Sequence, residues 1–122
     1  RTIRADAHMT ALDLSNKSFN AHGALVLADL IKVHGTLTSL NIAGNGVGGA
    51  ESSPIAFQRL GEALRQNNTL ADLVLSSNGI KDMDIAPLAE HLGPTSLTSL
   101  NLCYNSIGHI GAKHISGALL HW

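Results

Sequence analysis

The chain has 122 residues, of which 44% are hydrophobic and 14% charged, a length and composition that fit one ordinary globular domain and exclude a disordered tail. The formal net charge of −1 and the absence of any Lys/Arg run argue against nucleic acid as a partner, and no stretch approaches the ~20 apolar residues of a membrane span. A single cysteine, Cys103, excludes an internal disulfide framework and leads us to expect an intracellular protein.

An eleven-residue pattern, L-x-x-L-x-L-x-x-N-x-L, recurs four times along the chain. The copies are MTALDLSNKSF (Met9–Phe19), LTSLNIAGNGV (Leu37–Val47), LADLVLSSNGI (Leu70–Ile80) and LTSLNLCYNSI (Leu97–Ile107). Recurrence at a nearly fixed spacing is typical of stacked repeats, so we predict one domain over residues 1–122 with units starting near 9, 37, 70 and 97. In the second unit the downstream apolar pair is displaced along the chain, which predicts a small insertion near residues 48–54.

Each unit is predicted to contain a short strand followed by a helix. Apolar and polar residues alternate around Leu40-Asn41-Ile42, as in a half-buried strand, and the spacing then changes to three and four residues, as on one face of a helix. The predicted helical faces are Ala24, Leu27, Ala28 and Ile31 in the first unit and Phe57, Leu60, Ala63 and Leu64 in the second. Pro54 is expected in the first turn of the second helix, and Pro87 is expected early in the third helix, where its missing N–H costs least.

A strand and a helix in every unit predict an α/β solenoid. Units of this kind stack into a right-handed βα superhelix, in which a curved parallel sheet is lined on its outer side by helices. Asn45, Asn78 and Asn105 occupy the ninth position of three units, where a buried amide can bond the backbone of its own turn and of the next unit. We expect these asparagines to be structural; the first unit has Lys17 at this position, next to Asn16.

The four copies, together with the stretch GHIGAKHISGALL at Gly108–Leu120, resemble leucine-rich repeats of the ribonuclease-inhibitor-like subfamily. The resemblance implies binding of a protein partner through a curved surface, in the cytoplasm or on a cytoskeletal or ciliary structure. It does not identify the partner, because a fold does not determine a function. Members of this group also include the Ran GTPase-activating protein, which is the alternative that the resemblance offers.

Side chains between the core leucines are expected on the concave side of the sheet, and seven residues there are candidates for partner contacts. They are Asp13, Asn41, Asp72, Val74, Asn101, Cys103 and Tyr104. Interfaces favour Trp, Tyr and Arg at the centre of binding, and Tyr104 is the residue of that kind nearest to the predicted strands. The helical back and the segment GGAESSP (48–54) remain open as other contact surfaces.

No pattern in the sequence predicts an enzyme, a cofactor or a metal site. The seven histidines fall at non-equivalent positions without an HExxH or Cys/His cluster, and Asp82 and Asp84 are interpreted as a solvated helix start. A GTPase-activating role would favour an Arg in a strand-to-helix loop. Arg59 and Arg65 are instead predicted on the second helix, and Arg1 and Arg4 precede the first unit.

The first and last units raise the question of what covers the ends of the solenoid. An open terminal unit exposes the leucines of its strand and an unpaired strand edge. We expect either that the chain is part of a longer repeat protein or that neighbouring chains cover both ends, and the sequence leaves both possibilities open.

Overall fold

Every predicted unit forms a three-residue strand followed by a helix. The computed structural model describes residues 9–93 and 95–119, so Arg1, Arg4, Leu120 and Trp122 lie outside the described part. The elements are β1 (Ala11–Asp13), α1 (Asn20–Val33), β2 (Ser39–Asn41), α2 (Ser53–Gln66), β3 (Asp72–Val74), α3 (Asp82–Leu92), β4 (Ser99–Asn101) and α4 (His109–Leu119).

The four strands form one parallel sheet in the order β1-β2-β3-β4. The central leucine of each strand, namely Leu12, Leu40, Leu73 or Leu100, lies in register with that of its neighbour. Because side chains alternate across a strand, these leucines point to the core and the residues on either side point away from it. The predicted α/β solenoid with helices beside a parallel sheet is confirmed.

The core lies between the sheet and the four helices. All eight residues of the two predicted helical faces are buried, because α1 and α2 pack on the helices of adjacent units and share one apolar cluster with the strand leucines. Pro54 is the second residue of α2, as expected for the first turn. Pro87 lies in the interior of α3, further from its start than we expected, and its missing N–H removes one bond of the helical ladder.

The ninth-position asparagines are held by bonds that join adjacent units. Asn78 Oδ1 accepts hydrogen bonds from the backbone N–H groups of Asn45 and Val47, at 2.8 and 3.4 Å. Its Nδ2 donates to the carbonyls of Ile42, Leu75 and Ser76 at 3.0–3.1 Å. The carboxamide therefore bonds five backbone groups, of which three belong to another unit.

Asn45 and Asn105 repeat this arrangement one unit earlier and one unit later. The Oδ1 of Asn45 accepts from Lys17 N at 2.7 Å, and that of Asn105 accepts from Asn78 N at 2.9 Å. In all three cases the neighbouring unit is the preceding one, whereas we expected the next one. Lys17 in unit one cannot replace such a residue, because an ammonium group donates hydrogen bonds and accepts none.

A second row of bonds joins the starts of the strands. The hydroxyls of Thr36, Thr69 and Ser96, each placed just before the first leucine of a unit, donate to carbonyls of the preceding unit at 2.6–2.8 Å. Buried Asn67 adds bonds from its Nδ2 to the carbonyls of Ile31 and His34, at 2.8 and 3.0 Å. Both ends of β2, β3 and β4 are thus fixed to the preceding unit by side chains.

The loop between β2 and α2 comprises residues 42–52 and is longer than the equivalent loops 14–19, 75–81 and 102–108. Gly49 in this loop has φ +79°, a conformation that suits glycine, and its N–H donates to Asp84 Oδ2 at 2.9 Å. Asp84 also accepts from the backbone N–H of Lys81 at 3.0 Å and from the hydroxyl of Ser53. Buried Asp84 therefore holds the long loop and the start of α2 by hydrogen bonds. Our interpretation of Asp84 as a solvated residue was wrong.

We predict that Asn78→Ala lowers the free energy of unfolding by about 3 kcal/mol, because it leaves buried backbone donors and acceptors without partners. Urea denaturation followed by circular dichroism measures the change. The matched control is Asn68→Ala, which removes the same atoms from an exposed position and should alter stability by less than about 0.5 kcal/mol. Equal effects of the two substitutions would contradict the assigned role of Asn78.

Candidate protein-binding face

The side of the sheet that points away from the helices, here called the concave face, carries most of the candidate residues. Asp13, Asn41, Val74 and Asn101 lie side by side in one row across the four strands. Asp72 lies in the adjacent row, between Ser39 and Ser99. Cys103 and Tyr104 follow the end of β4, so the structure places them at one corner of the face.

Three side chains of the first row are oriented by their own turns. Asp13 Oδ1 accepts from Ser15 N at 2.9 Å, and the Oδ1 atoms of Asn41 and Asn101 each accept from the N–H two residues further on at 3.0 Å. The side-chain oxygens of Asn41 and Asn101 are therefore already bonded within their own units. No described residue accepts a hydrogen bond from the Nδ2 of Asn41 or Asn101, so these donors are available to a partner.

The two rows carry negative charge and small side chains. Asp13 is exposed, and hydrogen bonds from the hydroxyl and N–H of Ser15, together with the charge of Lys17, lower the pKa of its carboxyl below the usual value of 3.8. Asp13 therefore remains ionised across the neutral and mildly acidic range. Asp72 is half-buried, and the remaining members of the row of Asp72 are Ala11, Ser39 and Ser99.

Tyr104 is the large aromatic residue at the corner of this face, and its side chain is 88% exposed. Its φ of +58° lies in the left-handed region, which bulky residues rarely adopt. The same eighth position is occupied in the other units by Asn16, Gly44 and Ser77, all of which also have positive φ. The turn thus imposes this conformation, and tyrosine adopts it without gaining buried contacts.

The described residues were also compared with what a metal site, a membrane-spanning helix or a reactive thiol requires. Across residues 9–93 and 95–119, no three His, Cys, Asp or Glu side chains are grouped as metal ligands would be. In the same described ranges, no helix combines the length and the apolar character needed to cross a membrane. Cys103 has an exposed free thiol, and its backbone N–H donates to Asn101 Oδ1.

Sequence reasoning found the members of the concave face but missed the structural polar residues at the strand starts. Thr36, Thr69 and Ser96 share one position, immediately before the first leucine of each unit. Extending the repeat alignment by one residue upstream would have revealed this recurring hydroxyl. The burial of Asp84 has no comparable signal, since it depends on the long loop of a different unit.

Comparisons with known proteins agree with this geometry. A family described as "Leucine Rich repeat" matches residues 35–50, 66–89 and 93–116, and the chain belongs to this family. No curated protein matches the sequence.

Among solved structures, one titled "Leiomodin-1 Actin-Binding Site 2 (ABS2)" is similar, with a TM-score of 0.81 and 18% sequence identity. The match covers 95% of this chain and 66% of that one, so this chain spans just under two thirds of the length of that structure. At this identity the likeness shows a common fold.

We predict that Tyr104→Asn raises the free energy of unfolding by about 1 kcal/mol, because asparagine tolerates positive φ and tyrosine here has no buried contacts to lose. Chemical denaturation measures the change, with Tyr104→Phe as the control that keeps the strain and should leave stability unchanged. A loss of stability in Tyr104→Asn would show that the tyrosine ring supports the fold.

Proposed function

We propose that this chain is a non-catalytic protein-binding module whose concave face contacts the partner. The observation that carries the proposal is the row formed by Asp13, Asn41, Val74 and Asn101, which presents two free amide donors and one carboxylate beside an apolar residue. The side chains of Asp13, Asn41 and Asn101 are held by hydrogen bonds within their own turns, so little of their side-chain freedom is lost on binding. Tyr104 supplies an aromatic anchor at the edge of the same face.

The chemistry of this face favours a slender, basic partner segment. Asp13 and Asp72 provide negative charge, and the rows to which they belong contain no Lys or Arg. Small neighbours such as Ala11, Ser39 and Ser99 allow a helix or an extended segment to approach the sheet closely. Lys or Arg side chains of such a segment would meet the carboxylates, and its carbonyl or carboxylate oxygens would accept from the asparagine amides.

A cytoskeletal partner is our more specific proposal, together with an intracellular location. It is supported by the leucine-rich-repeat structure named for an actin-binding site of leiomodin-1, which has the same fold. Actin is therefore the first partner to test. We also propose that residues 1–122 act as one domain in this role, with the loop at 48–54 as a secondary contact surface.

The alternative of a Ran-type GTPase-activating protein is not supported by the geometry. Arg59 and Arg65, which are the arginines of the described residues, lie on α2 and not in a strand-to-helix loop. Arg65 Nη1 lies 3.3 Å from His91 Nδ1 on the neighbouring helix. No arginine of the described part is therefore placed where it could stabilise the charge of a transferring phosphoryl group.

We predict that Val74→Arg weakens binding at least about tenfold, because it places a bulky cation at the centre of a face suited to a basic segment. The matched control is Val33→Arg, the same substitution on α1 at a side chain that is 77% exposed. Binding is measured with purified monomeric and filamentous actin by fluorescence titration and cosedimentation. Thermal unfolding of both variants verifies that each remains folded.

With these two substitutions, the proposed contact surface and the proposed partner are tested separately. Binding of actin that is lost in Val74→Arg and kept in Val33→Arg supports both the concave face and the cytoskeletal proposal. Actin binding that Val33→Arg weakens and Val74→Arg does not would place the contact on the helical side. Absence of actin binding by the unchanged chain would contradict the cytoskeletal proposal, and partners captured from a cell extract would then test the concave face with the same pair of variants.

A further inference from the structure

The groove between α2 and α3 is occupied by the side chain of half-buried His91. Its ring lies over Gly61 of α2, so closely that a Cβ atom added at Gly61 would lie 2.7 Å from His91 Cδ2. One turn further along α2, Arg65 Nη1 lies 3.3 Å from His91 Nδ1. Because a guanidinium group only donates hydrogen bonds, Nδ1 is the acceptor, and the ring is neutral with its proton on Nε2. An imidazole ring thus rests on a small residue and accepts from a cation.

The preceding pair of helices, α1 and α2, has a cleft at the corresponding place. The helices align on their central buried leucines, Leu27, Leu60 and Leu88. In this alignment the small residue and the cation are Ala28 and Lys32 of α1, whereas the ring is replaced by the methyl group of buried Ala63. A cleft of about 200 Å³ remains between the two helices, and both Ala28 and Lys32 line it. The α1–α2 cleft therefore lies where an imidazole ring would lie if the chain supplied one.

Charged groups of both signs surround the α1–α2 cleft. They are Asp29 and Lys32 of α1 and Arg59 and Glu62 of α2. Glu62 Oε1 accepts from Gln58 Nε2 at 3.5 Å, and within residues 9–93 and 95–119 no salt bridge joins these four side chains to one another or to other residues. A neutral imidazole ring suits such a site, because one nitrogen can accept from Lys32 while the N–H of the other donates to a carboxylate.

We propose that the α1–α2 cleft binds a histidine side chain of a partner protein, whose imidazole ring takes the place that His91 has in the next groove. The ring would lie less deeply than that of His91, because Ala28 carries a methyl group where the equivalent Gly61 has none. A protein side chain is favoured over a free ring because Val26 lines the cleft and is 64% exposed, which offers apolar surface to the residues beside the histidine. The cleft lies on the helical side, so the proposal does not depend on binding at the concave face.

The test is an NMR titration of the complete chain with N-acetylhistidine methylamide, a blocked histidine, as the probe. We expect saturable shifts of the backbone amide signals of Ala28, Asp29 and Glu62, whereas those of Asn45 and Asn78 stay unchanged. N-acetylphenylalanine methylamide, whose ring has no nitrogen, should bind at least about tenfold more weakly because it leaves the charged groups without hydrogen bonds. Free imidazole, which cannot cover Val26, should bind at least about fivefold more weakly than the blocked histidine.

Variants of the chain test the assigned contacts. Lys32→Met removes the proposed donor and should weaken binding of the blocked histidine at least about fivefold. The matched control is Lys113→Met, the same substitution at an exposed position of α4, which should leave binding unchanged. Ala63→His supplies the ring from the chain itself and should abolish binding of the probe. Circular dichroism verifies that the chain folds with this substitution at a buried position.

Several results would overturn the proposal. They are the absence of saturable shifts at the cleft, equal binding of the blocked phenylalanine, equal weakening by the two lysine substitutions, and unchanged probe binding by folded Ala63→His. Free imidazole that binds as tightly as the blocked histidine would overturn the assignment to a protein side chain. If Ala63→His does not fold, the comparison of Lys32→Met with Lys113→Met decides.

Discussion

A carboxamide at the ninth position of units two, three and four solves the main polar problem of this fold. The turn from strand to helix contains N–H and C=O groups that neither the sheet nor the helix can bond, and an unpaired buried group costs about 1–3 kcal/mol. Asn78 serves five such groups at once, three of them in the preceding unit. Because the bonds cross between units, the same side chain that completes a turn also fixes the distance and register of adjacent strands.

Because these bonds join the units, the outward polar side chains of the first row form hydrogen bonds only within their own turns. The leucines and asparagines set the backbone, so the neighbouring positions can be Asp13, Asn41, Val74 and Asn101 without changing the strand register. Tyr104 is the clearest case, since the turn requires positive φ at its position and the residue supplies an exposed ring. Tyrosine is disfavoured in this conformation and gains no packing there, which supports our proposal that Tyr104 contacts a partner.

The sequence was sufficient to predict the solenoid, because leucine spacing records which side chains face the core. It predicted the helical faces around Leu27 and Leu60 for the same reason. It could not show which neighbour Asn45 bonds, since an amide at a turn looks the same whether it faces the unit before or after it. Asp84 was misread because its burial arises from a loop more than 30 residues earlier in the chain, and such a contact leaves no local pattern.

The central claim is that the ninth-position amides lock the turns, and native-state amide hydrogen exchange in the unchanged chain tests it most directly. The N–H groups of Asn45 and Asn78 lie in turns, yet each donates to the Oδ1 of an asparagine in the following unit. We expect both to exchange as slowly as the central amides of α2, at least about 1,000-fold slower than the N–H of adjacent exposed Gly46. Exchange of Asn45 and Asn78 at the rate of Gly46 would contradict the account.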